Sequence, residues 1–215
     1  MARLYIFAIG GTGSRVLKSL TMLLAAGVKA TQNNFEIVPI IIDPHKGNND
    51  LKRTVRLMDN YQKISTESKA ENGFFATKIS TLDKIIASDS KMTDSFVFDI
   101  QDVSNTKFRD YIDFNQLDES NKALTDLLFS GYSTNKRQEK VNLLDVEMDI
   151  GFVGNPNIGS IVLDQFKDSA EFREFANNFN DGDRIFIISS IFGGTGAAGF
   201  PTILKNIRNA RNTPG

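Results

Sequence analysis

Cysteine is absent from the 215 residues, and histidine occurs once, as His45. Without a thiol there are no disulfides, no thiolate nucleophile and no cysteine-ligated metal. A single histidine leaves no histidine cluster for a metal, and any Ser-His-Asp arrangement would hang on that one residue. Long apolar runs are missing too: none reaches the roughly 18 residues a membrane-spanning helix requires. Met1 to Ile9 imitates the start of a signal peptide, but the run is short. It breaks into Gly10-Gly11-Thr12-Gly13-Ser14, followed by Arg15 and Lys18. A cytoplasmic protein is expected. Blocks of one charge sign are also lacking, since 25 Lys and Arg stand against 26 Asp and Glu, a formal net charge of -1. That balance speaks against direct nucleic-acid binding and against an anionic-membrane surface.

What is present is enough apolar material for a core, at 40% of the residues, and the length predicts one domain over 1–215 with a large insertion. Leu4 to Ile9 is a short continuous apolar run, the pattern of a strand buried on both faces. After the glycine turn, Val16, Leu17, Leu20, Leu23 and Leu24 recur at helical spacing, with Gly27 as the stop. Phe35 to Ile42 reads as a second strand, ending at Asp43-Pro44. Pro39 is discordant there, because proline lacks a ladder donor and belongs on edges or bulges. The insertion falls at about 59–140, where Ser95 to Ile100 reads as a possible strand and Asn121 to Phe129 as a short helix. One strand is expected within Val141 to Val153. An amphipathic stretch follows, with Phe172, Phe175, Ala176 and Phe179 on one helical face as core. Arg184 to Ser190 is another buried-strand run, and a closing helix passes through Ile203, Leu204 and Ile207. This alternation predicts an α/β fold with a doubly wound, mainly parallel sheet.

Two glycine-rich turns sit between a buried strand and a helix: Gly10, Gly11, Thr12, Gly13 and Ser14, then Gly193, Gly194, Thr195, Gly196 and Ala197. A helix N-terminus presents unpaired backbone N–H groups and about half a positive charge, which favours an anion. Glycine lets the backbone approach the ligand with no Cβ in the way. One such loop serves equally well for close packing, whereas two facing the same crevice suit a polyphosphate held from both sides. They meet if the chain winds outward from the first strand and returns on its other side, because ligands bind at the carboxyl ends of strands where winding reverses. The Gly154-Asn155-Pro156 turn adds a helix start, with Asn at the cap and Pro at the first helical position. Neither glycine segment is a Walker A loop, since no Gly-Lys-Ser/Thr follows. Against a dinucleotide fingerprint, Val16 occupies the third glycine position. Asp43 also lies about 30 residues beyond Gly13, rather than the usual ~20.

RIFIISSIFGGTGAAGFP resembles the strand and signature loop of the tubulin/FtsZ family, with Gly193, Gly194, Thr195, Gly196 and Pro201 in register. GFVGNPNIG is similar to the family's earlier phosphate loop through Gly154, Asn155, Pro156 and Gly159, and AIGGTGSRV to its first glycine-rich loop. Phe192 and Ala198 replace the first and last glycines of the signature, and Ser14 stands where the family usually has Asn. The resemblance implies a Rossmann-like nucleotide-binding domain for GTP or GDP, with Mg²⁺ reaching the site through the phosphates and possible assembly into filaments. The implied site comprises both glycine loops, Asp43 and Gly154-Asn155-Pro156. No catalytic or metal-ligating residue is assigned. In the family an acidic loop that follows the signature helix completes hydrolysis on the next subunit, and this chain resembles the N-terminal half. GTPase activity is therefore expected of an assembled full-length protein, and the chain alone is expected to be nearly inactive. An NAD(P)- or FAD-binding enzyme domain and a degenerate tubulin-like interaction protein remain as alternatives.

Overall fold

The computed structural model describes residues 1–29, 35–67, 73–86, 95–134 and 139–211. The chain opens with β1 (Arg3–Ile9), α1 (Gly10–Ala25), β2 (Glu36–Ile42) and α2 (Asn49–Glu67). Short pieces follow: α3 (Leu82–Ile85), α4 (Phe108–Tyr111), α5 (Glu119–Leu128) and a hairpin of β3 (Tyr132–Thr134) and β4 (Lys140–Asn142). The last part holds α6 (Pro156–Leu163), α7 (Ala170–Asn177), β5 (Arg184–Ile188) and α8 (Gly194–Arg211).

The main sheet has three parallel strands in the order β2-β1-β5. β1 is therefore central, and its apolar run is buried from Tyr5 to Ile9, as a strand covered on both faces must be. Side chains alternate between the faces. Tyr5, Phe7 and Ile9 join Val38, Ile40 and Ile42 in one core with α6, α7 and α8. Ile6 and Ala8 join Ile37 and Ile41 in a second core with α1 and α2. Helices thus cover both faces of a parallel sheet, an arrangement compatible with a Rossmann-like fold. The expected aromatic face is core: Phe175 meets Tyr5 and Phe7 edge-on, at 5.0 and 5.2 Å between ring centroids.

Pro39 lies within β2 for a reason the register makes plain. The N–H groups of Ile37 and Ile41 point to the outer margin of the strand and bond Lys78 O and Phe96 O, each at 2.8 Å. Pro39 points the same way, between them, where no donor is required. The same fact corrects the expected strand over Ser95 to Ile100. Only Val97 forms a bridge, to Ile41, because Pro39 interrupts the ladder it would have to follow. Val141 to Val153 contributes even less strand than expected, since β4 ends at Asn142 and the rest coils into 3-10 turns.

α1 ends as expected near Gly27, whose φ of +83° is the left-handed conformation glycine tolerates and whose N–H bonds Leu24 O. α2 runs through position 59, so the first helical part of the expected insertion packs against α1. The run at Arg184 to Ser190 is a strand but not the buried one expected: among the described residues β5 pairs with β1 alone at the margin of the sheet, so only Ile188 on it is buried and Phe186 is 57% exposed. Among the described residues no helix is long and apolar enough to cross a membrane.

Candidate functional site

Because β1 and β5 are neighbours, the two glycine loops leave adjacent parallel strands at the same end. They enclose one small crevice of about 130 Å³. Gly10, Gly11 and Thr12 line one side and Phe192 to Gly196 the other, with Ser190 and Gly151 completing it. Thr12 and Thr195 therefore border the same space.

The loops carry the same tetrapeptide, Gly-Gly-Thr-Gly, and the first and last glycines do the same task in both. The first of each, Gly10 and Gly193, has a positive φ, +67° and +110°, which turns the chain from strand to helix. The last of each allows close helix-to-strand packing. A β-carbon at Gly13 would fall 2.5 Å from the carbonyl carbon of Ala8, and one at Gly196 would collide with Ser190 O. The duplicated tetrapeptide, each copy placed directly after an apolar run, is a signal the sequence carries by itself.

The helix ends aimed at the crevice are bare. α1 has Ile9 at its cap position, and among the described residues no side chain bonds its first N–H groups. Among the described residues none caps α8 either; Ala197 N–H bonds Gly193 O at 3.3 Å, as the helix itself requires. Two uncapped N-termini, each with positive dipole character, thus border one cavity. No Asp, Glu or His side chain is among the described residues that line it.

The third loop reaches the crevice through Gly151. Gly151 to Gly154 hold four successive positive φ values of +66°, +59°, +48° and +77°, with Phe152 and Val153 in the middle. Bulky and β-branched residues rarely adopt this conformation, and each such residue stores about 1–3 kcal/mol. Asn155 holds the run in place. Its Nδ2 donates to Phe152 O at 3.1 Å and Val153 O at 3.2 Å. Asn155 does occupy the cap position of α6, but its side chain caps nothing there. Gly194 closes against this loop, where a β-carbon would lie 2.7 Å from Gly151 O and 3.1 Å from Asn155 N. Gly154 and Pro156 are exposed on the loop's outer side, and Ala197 is half-buried on α8 beyond the crevice.

Ser14 and Asp43 stand apart from the crevice. Ser14 is wholly buried, its carbonyl accepts from Thr54 Oγ1 of α2 at 3.0 Å, and its own hydroxyl has no partner among the described residues. Asp43 follows β2 directly and is buried, and burial raises its carboxyl above the usual value. His45 N–H donates to its Oδ1 at 3.0 Å and Asn48 Nδ2 approaches its Oδ2 at 3.5 Å. That Asn48 amide lies 3.3 Å from where a β-carbon on Gly11 would sit, so Asp43 braces the first loop at second hand. Among the described residues no three acidic or histidine side chains stand together to hold a metal ion.

A larger cavity, about 520 Å³, opens elsewhere, at the outer margin of β2. Its lining is mostly apolar and carries no glycine loop, so size alone does not make it the anion site. No protein-family model matches the chain, and no curated protein or solved structure matches it.

Proposed function

We propose that this chain binds the phosphates of a guanine nucleotide, GTP or GDP, as a doubly wound domain of the tubulin/FtsZ kind. The observation that carries this reading is the pair of uncapped helix N-termini, of α1 and α8, set on either side of one crevice. An anion there would take N–H donors from two directions, with the hydroxyls of Thr12 and Thr195 in reach of the same space. A crevice of this size accommodates phosphate and leaves the nucleoside outside. Guanine rather than adenine rests on the resemblance of the three loops to that family. Mg²⁺ would enter with the phosphates, since the lining supplies hydroxyls and backbone but no carboxylate. Among the described residues the lining offers no general base either, which favours binding without turnover by the chain alone.

A dinucleotide-binding domain is the second reading, favoured by an acidic residue, Asp43, directly after β2. Titrating GTP, GDP and NADH against the chain while following thermal unfolding separates the two. A ligand of the folded state adds about 2.7 kcal/mol at 100 times its dissociation constant. Stabilisation by GTP and GDP is expected, and stabilisation by NADH alone would reverse the ranking. Thr12→Asp supplies the control. A carboxylate in the first turn of α1 favours the free helix while repelling phosphate. The variant should therefore unfold no earlier than the parent yet lose the nucleotide response. A retained response would remove the phosphate from this crevice.

A further inference from the structure

The break that Pro39 makes in the outer margin of β2 opens into the 520 Å³ cavity. We propose that this cavity is a second binding site, for a small amphipathic molecule with one anionic head and an apolar body. It depends on no part of the nucleotide reading.

Its floor is Pro39 and Ile40. One wall is the face of α2 that carries Leu51 and Val55, and the opposite wall is Phe96 to Phe98, with Leu82 at the side. The ladder bonds of Ile37 and Ile41 hold the flanking segments at either end of the break, so the space between them is kept open by the backbone. A cavity of this volume lined mainly by apolar side chains, with polar groups placed among them, is the usual form of a small-molecule site.

The charges at the rim define the ligand's polarity. Lys46 is already engaged, its Nζ 2.5 Å from Asp99 Oδ1. Lys52 and Arg56, one turn apart on α2, border the cavity without an ion-pair partner among the described residues. Lys52 is in the first turn of α2, so the helix dipole adds to the positive potential at that end. Asp59 lies one turn beyond Arg56 and two beyond Lys52 on the same helix, and Glu171 comes in from α7. These carboxylates disfavour a ligand charged negatively at both ends, which leaves one anionic head, at Lys52 and Arg56.

The test uses 2-naphthoate and its uncharged counterpart 2-naphthamide, titrated calorimetrically against the whole chain. Naphthoate should bind more tightly than naphthamide. The double variant Lys52→Gln/Arg56→Gln, altered only at the rim, should weaken naphthoate about tenfold, the effect of losing charge-assisted bonds, and leave naphthamide unchanged. Val55→Trp, which fills the cavity from its α2 wall, should abolish binding of both, with far-ultraviolet circular dichroism reporting an intact fold. Failure of naphthoate to bind, equal affinity for both probes, or binding undiminished in Val55→Trp would each overturn the proposal.

Discussion

Gly10 and Thr195 face each other across the crevice: a β-carbon at Gly10 would lie 3.5 Å from Cβ of Thr195. Residues more than 180 positions apart are thereby in contact distance, and the contact exists only because β5 returns beside β1. The two loops form one rim, so a change at either should be felt by both.

Gly13→Ala and Gly196→Ala each place a methyl group against backbone rather than against a side chain that can swing away. Each should destabilise by about 1–3 kcal/mol, the usual effect of overpacking, measured by urea unfolding. Gly73, where the surroundings are open but φ is +81°, provides the contrast, since any loss from Gly73→Ala there reflects backbone conformation alone.

Asn155→Asp keeps the shape of the side chain and removes both N–H donors. The carbonyls of Phe152 and Val153 then face a carboxylate, and the left-handed run from Gly151 loses its clamp. Phe152 O keeps the backbone N–H of residue 155 and Val153 O keeps Ser133 Oγ, so a loss of about 1–3 kcal/mol is expected from the two lost side-chain bonds, together with weaker GTP binding. Val153→Asn should act in the opposite sense on stability by relieving backbone strain, about 1 kcal/mol. Paired unfolding curves of the two variants decide the matter.

Ser14→Ala removes a buried hydroxyl that has no partner and improves helix propensity in α1. Stability should rise by up to about 1 kcal/mol. Because Ser14 lies outside the crevice lining, nucleotide affinity should stay the same in a parallel titration.

Two buried acids predict opposite responses to pH. Burial pushes Glu36 upward, but hydrogen bonds from Lys78 and Ser80 and the charges of Lys78 and Arg3 outweigh it, holding its carboxyl below the usual value. Its contribution is present above the unfolded-state value and is lost as pH falls through the folded-state value. Burial raises Asp43, and the bonds from His45 and Asn48 offset this only in part. The folded state then keeps the proton longer, so Asp43 detracts from stability as pH rises through its raised value. Glu36→Gln should destabilise at neutral pH. Asp43→Asn should stabilise there, with the gain fading on acidification. Unfolding free energies followed from neutral to acid pH check both signs.

The parts of this molecule that sequence makes legible are those where one periodicity dominates. The apolar runs of β1, β2 and β5 and the spacing of Leu17 and Leu24 need no partner to be read, whereas the pairing of β5 with β1 could be read only on the condition that the chain winds outward and returns, a condition the register meets. Pro39 is legible as an anomaly, and its resolution requires knowing that Ile37 and Ile41 bond outward on either side. Ser14 and Gly151 show the limit within the candidate site. Ser14 sits in a glycine loop by sequence yet is buried under α2, its carbonyl accepting from Thr54, and Gly151 enters the crevice from a left-handed run built on Phe152 and Val153, residues that ordinarily avoid that conformation. Which groups of a turn reach the crevice depends on what packs against that turn, Thr54 at Ser14 and Gly194 at Gly151, and both come from distant segments.

β5 has a consequence for how the molecule behaves in solution. A row of main-chain donors and acceptors without ladder partners among the described residues, beside a half-bare phenylalanine, invites recruitment of another polypeptide by main-chain pairing. Concentrated samples should associate through this margin, and Phe186→Lys should keep them monodisperse in light scattering.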